Sequence, residues 1–263
     1  MHTFPAYATY LGRRYSPATV STRTYWLRRL SDVVDPLTAT EDDLWDFLDA
    51  DASWTPNTRA TVVASFRTFY RWAARQGLVS VNPTEDMSRP PVPRTVSRIA
   101  STDVLVRALD EATPSECVML LLGAECGLRA SEIAGLRVDD RRGEWLAVRG
   151  KGGKLRHLHT SPELAAALDV LERDQARAGY YFPGPRSPHV EPATIWRHVR
   201  NLTGLNTHAL RHRAGTTVYR GTGNNLRVAQ EFLGHAKPTT TAIYLHVELE
   251  DLELASAATR LAA

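Results

Sequence analysis

The residue types that could do chemistry fall into four separated clusters between residues 126 and 244 of this 263-residue chain. The clusters are CGLRASE with Arg129 and Glu132, GKGGK with Lys151 and Lys154, THALRH with His208 and Arg211, and GHAKPTTTAIY with His235 and Tyr244. A guanidinium group is planar, permanently charged and able to make paired hydrogen bonds to a phosphate. A phenol, with an ordinary pKa of about 10, becomes a nucleophile only beside positive charge and a base. Together these types suit displacement at a phosphate, although each cluster alone could be an ordinary helix face, turn or surface pair.

A β-hairpin and several helices are predicted to position these clusters. Residues 144–149 and 155–160 are predicted to be strands on either side of the GKGGK turn, with Lys154 one residue into the second strand. Capping residues and apolar spacing predict helices elsewhere after residue 100. Two helices are predicted within 101–125, one begins at Ser161-Pro162, one begins at Pro192, and most of 207–263 is predicted to be helical.

The first ninety residues are predicted to be helical, with starts at Ser16-Pro17, Thr40-Glu41 and Thr55-Pro56 and a stop at Gly77. In the helix from Thr55, one face carries Val62, Phe66, Phe69 and Ala73. Arg67, Arg71 and Arg75, here called the arginine stripe, fall within about 40° of the opposite direction. The stripe predicts a DNA-binding face, and an ordinary solvated face is the alternative.

The segment RPPVPRTVSR at residues 89–98 has three prolines in ten residues, which predicts an extended linker. It divides the chain into a helical domain at 1–88 and a second domain at 99–263.

In their order and spacing the four clusters resemble the catalytic set of the tyrosine recombinases, the family of phage integrases and bacterial Xer proteins. The resemblance covers about residues 100–250, and Tyr244 stands nine residues after His235, as the family pattern has it. The segments PATVSTRTYWLRRL and VNPTEDM resemble more loosely the family's helical core-binding domain. The resemblance implies a mainly α fold with a small β-hairpin or sheet. It also implies a two-domain clamp around DNA, made of a core-binding domain and a mixed α+β catalytic domain.

The resemblance also implies a role for each site residue. Arg129 and Arg211 would bind the phosphate, and Tyr244 would be the nucleophile. His208 would be the base, and His235 would donate a further hydrogen bond to the phosphate. Lys151 would be the general acid, with Lys154 as second choice and a DNA contact. Glu132 would orient the site.

No cofactor is expected, because a phosphotyrosine bond keeps the energy of the broken phosphodiester. The sequence has no P-loop, no GxGxxG and no HExxH, and His157 and His159 have no evident acid or cysteine partner, so no metal site is predicted.

The expected partner is double-stranded DNA with paired core-type half-sites, and a directionality factor is a possible second. Self-association to a tetramer is implied by the family and by the tail 248–263. Leu245, Leu249 and Leu252 follow the spacing of one helical face, which needs a partner surface. The tail would dock into the next subunit, or alternatively fold back onto its own domain.

The composition is that of a soluble protein, with 43% hydrophobic residues and a net charge of +3. No apolar run reaches the roughly 18 residues of a membrane span, and no signal peptide precedes the first helix, which predicts a cytoplasmic protein. Cys117 and Cys126 lie in one apolar segment and are predicted to be reduced core residues.

The function predicted is that of an integrase of a phage or other mobile element. The alternatives are a Xer-type chromosome-dimer resolvase, a type IB topoisomerase and a DNA-binding relative that has lost the reaction. A covalent protein–DNA adduct would exclude the last, and a tail required for assembly would separate a recombinase from a monomeric topoisomerase.

Overall fold

The structure is a computed structural model that describes residues 3–91, 99–150, 153–175 and 179–234. The chain divides into two compact units, Met1–Thr95 and Val96–Ala263. Each has its own apolar core.

The described part of the first unit is built from four helices: α1 (Thr3–Gly12), α2 (Pro17–Ser31), α3 (Glu41–Asp49) and α4 (Pro56–Arg75). The starts of α2, α3 and α4 are where the sequence predicts them. The Thr40 hydroxyl accepts the backbone N–H of Asp43, and the Thr55 hydroxyl accepts that of Thr58. No separate start was predicted for α1, because, of the side chains described in it, only Tyr7 and Leu11 are fully buried, too few to give a periodic pattern.

The buried face of α4 includes the four predicted residues Val62, Phe66, Phe69 and Ala73 and is wider than predicted. Val63, Tyr70 and Trp72 are buried as well. The wider face leaves Arg67 half-buried, whereas Arg71 and Arg75 are exposed.

The described part of the second unit holds helices α5 to α11, one 3₁₀ turn at Val138–Asp140 and three strands. The helices are α5 (Thr102–Glu111), α6 (Pro114–Ala124), α7 (Ala130–Ala134), α8 (Pro162–Gln175), α9 (Pro192–Thr203), α10 (Thr207–Gly221) and α11 (Leu226–Leu233). The strands are β1 (Arg141–Arg142), β2 (Trp145–Arg149) and β3 (Leu155–His159), paired antiparallel in the order β1-β2-β3.

Helix α6 lies at the centre of the second core and packs against α8, α9 and α10. Gly123 makes the contact with α10 possible, because a Cβ atom there would lie 2.9 Å from Leu210 Cδ1. The inner face of the sheet adds Leu146, Val148 and Leu158 to this core.

The fold class expected from the sequence is confirmed: the described residues are mainly helical with a small antiparallel sheet. One detail of the predicted hairpin is wrong, namely the position of Lys154. Lys154 lies in the turn, one residue before β3, because its carbonyl oxygen closes the turn by accepting the N–H of Gly150 at 2.8 Å. Within the described segments no helix is long and apolar enough to cross a bilayer.

Candidate active site

Arg129 stands at the start of α7, on a chain segment that turns sharply after α6. Gly127 makes the turn with φ of +62°, and a Cβ atom there would lie 2.8 Å from Leu233 Cδ2. Both the left-handed backbone and the close approach of α11 therefore require glycine. The Arg129 side chain remains 32% exposed, so it can reach a ligand.

Glu132 holds Arg129 from the first turn of α7. Its Oε2 accepts the Arg129 backbone N–H at 3.0 Å, and its Oε1 accepts Nη1 at 2.8 Å. The Glu132 side chain is only 4% exposed. Burial by itself would raise the pKa of Glu132, but hydrogen bonds and positive charge from Arg156, and then from Arg129, lower that pKa overall. Glu132 is therefore an anion within the site.

Arg156 is the second partner of Glu132 and is not among the predicted site residues. Its Nη1 donates to Oε1 at 3.1 Å and its Nη2 to Oε2 at 2.8 Å, a bidentate pair between buried groups. A signal was present in the sequence, because Arg156 and Leu158 alternate with His157 and His159 along β3 and so point inward. An arginine at an inward strand position requires a buried partner.

Arg211 comes from α10 and is 1% exposed. Its Nη1 donates to the carbonyl oxygen of Gly127 and its Nη2 to that of Leu233 at 2.6 Å. Its Nη1 also lies 3.8 Å from Glu132 Oε2. The two carbonyl groups fix the guanidinium between the turn before Arg129 and the end of α11.

Two histidines on α10 lie beside Arg211. The rings of His208 and His212 are 5.2 Å apart in an edge-to-face arrangement. Partial burial, followed by the positive charges of Arg211 and Arg129, lowers the pKa of His208. Burial, with the neighbouring His208 and Arg211, lowers the pKa of His212 to about 4. Both rings are therefore neutral at pH 7, and His208, which keeps contact with solvent, can accept a proton.

The structure brings Arg129, Glu132, His208 and Arg211 together. Lys154 is exposed in the hairpin turn. Lys151, His235 and Tyr244 lie outside the described residues, although Gly150 and Gly234 next to the first two are described. In the described segments no three His, Cys, Asp or Glu side chains lie close enough together to hold a metal ion.

Among the described side chains, three guanidinium groups thus surround one carboxylate, so that positive charge is in excess beside a neutral histidine. Such an arrangement can bind an anion of the phosphate type and accept a proton next to it. It defines the class of protein as one with a phosphate-directed site on a mainly helical domain.

Comparison with known proteins identifies the family. Residues 101–250 match the Phage integrase family. Tyrosine recombinase XerC of Caldanaerobacter subterraneus subsp. tengcongensis is 30% identical over 223 residues, which are 77% of this chain and 62% of that relative. The chain therefore spans about three fifths of the length of this relative. It belongs to the phage integrase family of tyrosine recombinases.

Two solved structures have a similar fold. An integrase from mycobacterium phage Brujita is 27% identical with a TM-score of 0.50, covering 94% of this chain and 88% of that one. A lambda integrase tetramer bound to a Holliday junction is 14% identical with a TM-score of 0.73, covering 92% of this chain and 76% of that one.

Proposed function

We propose that this protein is a site-specific DNA recombinase that cleaves and rejoins duplex DNA through a 3′-phosphotyrosine intermediate at Tyr244. The observation that carries the proposal is the group of three arginines around Glu132, within the segment that matches the family. A phosphodiester in displacement gathers negative charge on its non-bridging oxygens, and fixed guanidinium donors stabilise that charge.

The proposed reaction is an in-line displacement. The Tyr244 oxygen forms a bond to phosphorus, its proton passes to His208, and the bond from phosphorus to the 5′ oxygen breaks. Arg129, Arg211 and His235 donate hydrogen bonds to the phosphate, and Lys151 gives a proton to the leaving 5′ oxygen. Rejoining is the same displacement in reverse by a 5′ hydroxyl, so it requires no cofactor.

The lowered pKa of His208 supports its role as the base. The lowered pKa keeps the His208 ring in the neutral, proton-accepting form at pH 7, although the charge of the two arginines also makes that ring a weaker base. Glu132 is proposed to orient Arg129, with which it makes two hydrogen bonds.

The test of this function is capture of a covalent adduct. The protein would be incubated with sheared DNA from its source genome, denatured in detergent, and the DNA that stays attached would be sequenced. We expect adducts at a defined sequence, attached through a 3′ phosphate. A plasmid with two copies of that sequence should then undergo strand exchange, which a topoisomerase would not perform. Absence of any adduct would contradict the proposal.

We propose integration or excision of a phage or other mobile element as the particular role, and chromosome-dimer resolution as the second candidate. The likeness to a phage integrase supports the first and that to XerC supports the second. The captured sequence decides between them. An attachment site next to the gene would indicate an integrase, for which a directionality factor is an expected partner.

We propose that residues 1–88 are the core-type DNA-binding domain and residues 99–263 the catalytic domain, joined by 89–98 and acting on DNA in the cytoplasm. The division into two compact units supports this arrangement. The arginine stripe supports DNA binding by the first. In the part of the chain that the structure describes, Arg67, Arg71 and Arg75 make no ion pair, whereas Arg59 of the same helix pairs with Asp49.

Replacing the three stripe arginines with glutamine in the full chain should flatten the dependence of DNA affinity on salt. Each lost phosphate contact reduces the slope of log affinity against log salt by about 0.9, so the triple variant should lose about 1 to 3 units of slope. Titrations of a labelled duplex over a range of salt concentrations measure this slope.

The matched control replaces Arg137, Arg142 and Arg173, which are exposed in the second unit. This variant has the same change in net charge, and its slope should equal that of the wild type. An equal loss of slope in both triple variants would make the stripe an ordinary solvated face.

We propose that the protein assembles as a tetramer on paired half-sites, with the tail 248–263 docked into the next subunit. A candidate acceptor is an open apolar groove of about 440 Å³ between α5, α6 and α10. Leu105, Val106, Leu109 and Leu121 are among the residues that line it. The tail itself lies outside the described residues.

Deleting residues 250–263 should preserve binding of one protomer to one half-site and remove cooperative occupancy of paired half-sites, together with recombination. Gel-shift titrations on one and on two half-sites measure both. Val106→Asp should have the same effect, because it puts a charge in the groove at a side chain that is 51% exposed.

Val33→Asp is the control for this experiment. Val33 is 75% exposed in the first unit, so the same substitution there should leave cooperativity unchanged. Undiminished cooperativity in the truncated protein would refute docking into the next subunit.

A further inference from the structure

We propose that Arg156 is a positioning residue for DNA cleavage, which acts through Glu132 to hold Arg129 and the backbone next to Lys151 and His235. The inference rests on the proposed function, and it assigns a task to a side chain outside the predicted catalytic set.

The first observation is the geometry of the pair. Both terminal nitrogens of Arg156 engage Glu132, and each oxygen of Glu132 also accepts a hydrogen bond from Arg129. The carboxylate is thus held in its plane by a rigid fork on one side and in turn holds Arg129 on the other. A rotation of the Glu132 carboxylate would move the Arg129 guanidinium with it.

The second observation is what lies against the pair. A Cβ atom on Gly234 would stand 3.1 Å from both Cδ and Nη1 of Arg156. One on Gly150 would stand 3.4 Å from Arg156 Nη1 and 3.5 Å from Glu132 Oε1. Gly150 directly precedes Lys151 and Gly234 directly precedes His235. The pair therefore lies against the two segments that lead to Lys151 and His235, and Glu132 also binds Arg129 directly.

The third observation is that both charged side chains of the pair are buried. The side chains of Arg156 and Glu132 are 6% and 4% exposed. Apolar side chains of similar volume are often at least as stabilising as a buried ion pair, because the pair loses its hydration. Apolar side chains could therefore fill this buried space as well as Arg156 and Glu132 do. Only charged groups, however, can fix the direction of the Arg129 guanidinium.

Arg141 offers a matched comparison elsewhere in the same unit. It also pairs with two carboxylates, Asp169 and Glu172, and its side chain is 10% exposed. Its partners lie on α8, and among the described residues neither of them pairs with Arg129, Glu132 or Arg211. Arg141 should therefore stabilise the fold without affecting the reaction.

The test compares Arg156→Lys with Arg141→Lys, using the duplex recovered by adduct capture. Lysine keeps the charge but cannot hold both carboxylate oxygens in one plane. We expect Arg156→Lys to reduce the first-order rate of adduct formation at saturating protein by about 10- to 100-fold, as loss of outer partners of catalytic groups does elsewhere. Half-site affinity should stay within about 2-fold of the wild type, because few DNA contacts are lost. Arg141→Lys should lower the melting temperature comparably and leave the rate unchanged.

A double-mutant cycle tests whether Arg156 acts through Glu132. The rate losses of Arg156→Lys and Glu132→Gln should not add, since either change releases the same guanidinium of Arg129. Should a single variant fail to fold, Glu132→Gln combined with Arg156→Met removes both charges of the buried pair together, while the carbonyl oxygens of Gly127 and Leu233 still accept from Arg211. We expect it to fold and to cleave slowly.

Three results would contradict the inference. They are a wild-type rate in Arg156→Lys, a wild-type rate in the combined variant, and rate losses that multiply in the cycle. Each is distinct from a failure of the proposed function, in which the wild-type protein itself would form no adduct.

Discussion

Tyr244→Phe should abolish covalent attachment to DNA and leave DNA binding almost unchanged. The substitution removes only the oxygen that attacks phosphorus, while the basic side chains that contact the backbone remain. We expect the rate of adduct formation to fall by at least about 10,000-fold, the order of effect seen when an enzyme loses its nucleophile. Detergent-resistant adducts on a labelled duplex measure cleavage, and gel shifts measure binding.

Tyr180→Phe is the control for the loss of a phenol. Tyr180 lies between α8 and α9, where its ring packs against Arg137 and His189. That variant should form adducts at the wild-type rate. An adduct formed by Tyr244→Phe would mean that another residue is the nucleophile.

Arg129→Ala and Arg211→Ala should each slow cleavage by about 100-fold or more, as removal of one fixed donor to a developing negative charge does. Lysine at either position should restore little of the rate, since a point charge cannot reproduce the planar fork. The measurement is the rate of adduct formation at saturating protein, with half-site affinity determined in parallel.

The two arginines should differ in their effect on stability. Arg211→Ala leaves the buried carbonyl groups of Gly127 and Leu233 without this donor, at a cost of about 1 to 3 kcal/mol for each group left unsatisfied. Arg129→Ala removes a half-exposed side chain, and Glu132 keeps its fork from Arg156. Thermal unfolding should therefore show a larger loss for Arg211→Ala.

Arg142→Ala, at an exposed position of β1, is the control for loss of a surface arginine and should affect neither rate nor stability. A near-normal rate in Arg129→Lys or Arg211→Lys would indicate that the residue does not contact the phosphate.

Local features of this protein could be determined from the sequence because their causes lie within a few residues. The hydroxyl groups of Thr40 and Thr55 each cap a helix by accepting a backbone N–H three residues along the chain, and the GKGGK turn separates strands that alternate in polarity. The order and spacing of the four clusters are likewise linear properties, and they were sufficient to recognise the family. Helix α1 has too few buried residues for such a signal.

Only the tertiary structure decided which charges share a partner. Glu132 is three residues from Arg129 but 24 from Arg156, and the tertiary fold brings that third side chain to the same carboxylate. The carbonyl groups that bind Arg211 lie 84 and 22 residues away along the chain. Long-range contacts of this kind depend on how helices and strands pack around one core, and residue types and spacing carry almost no information about them. The sequence could therefore identify the chemistry, while the structure decided which side chains hold it in position.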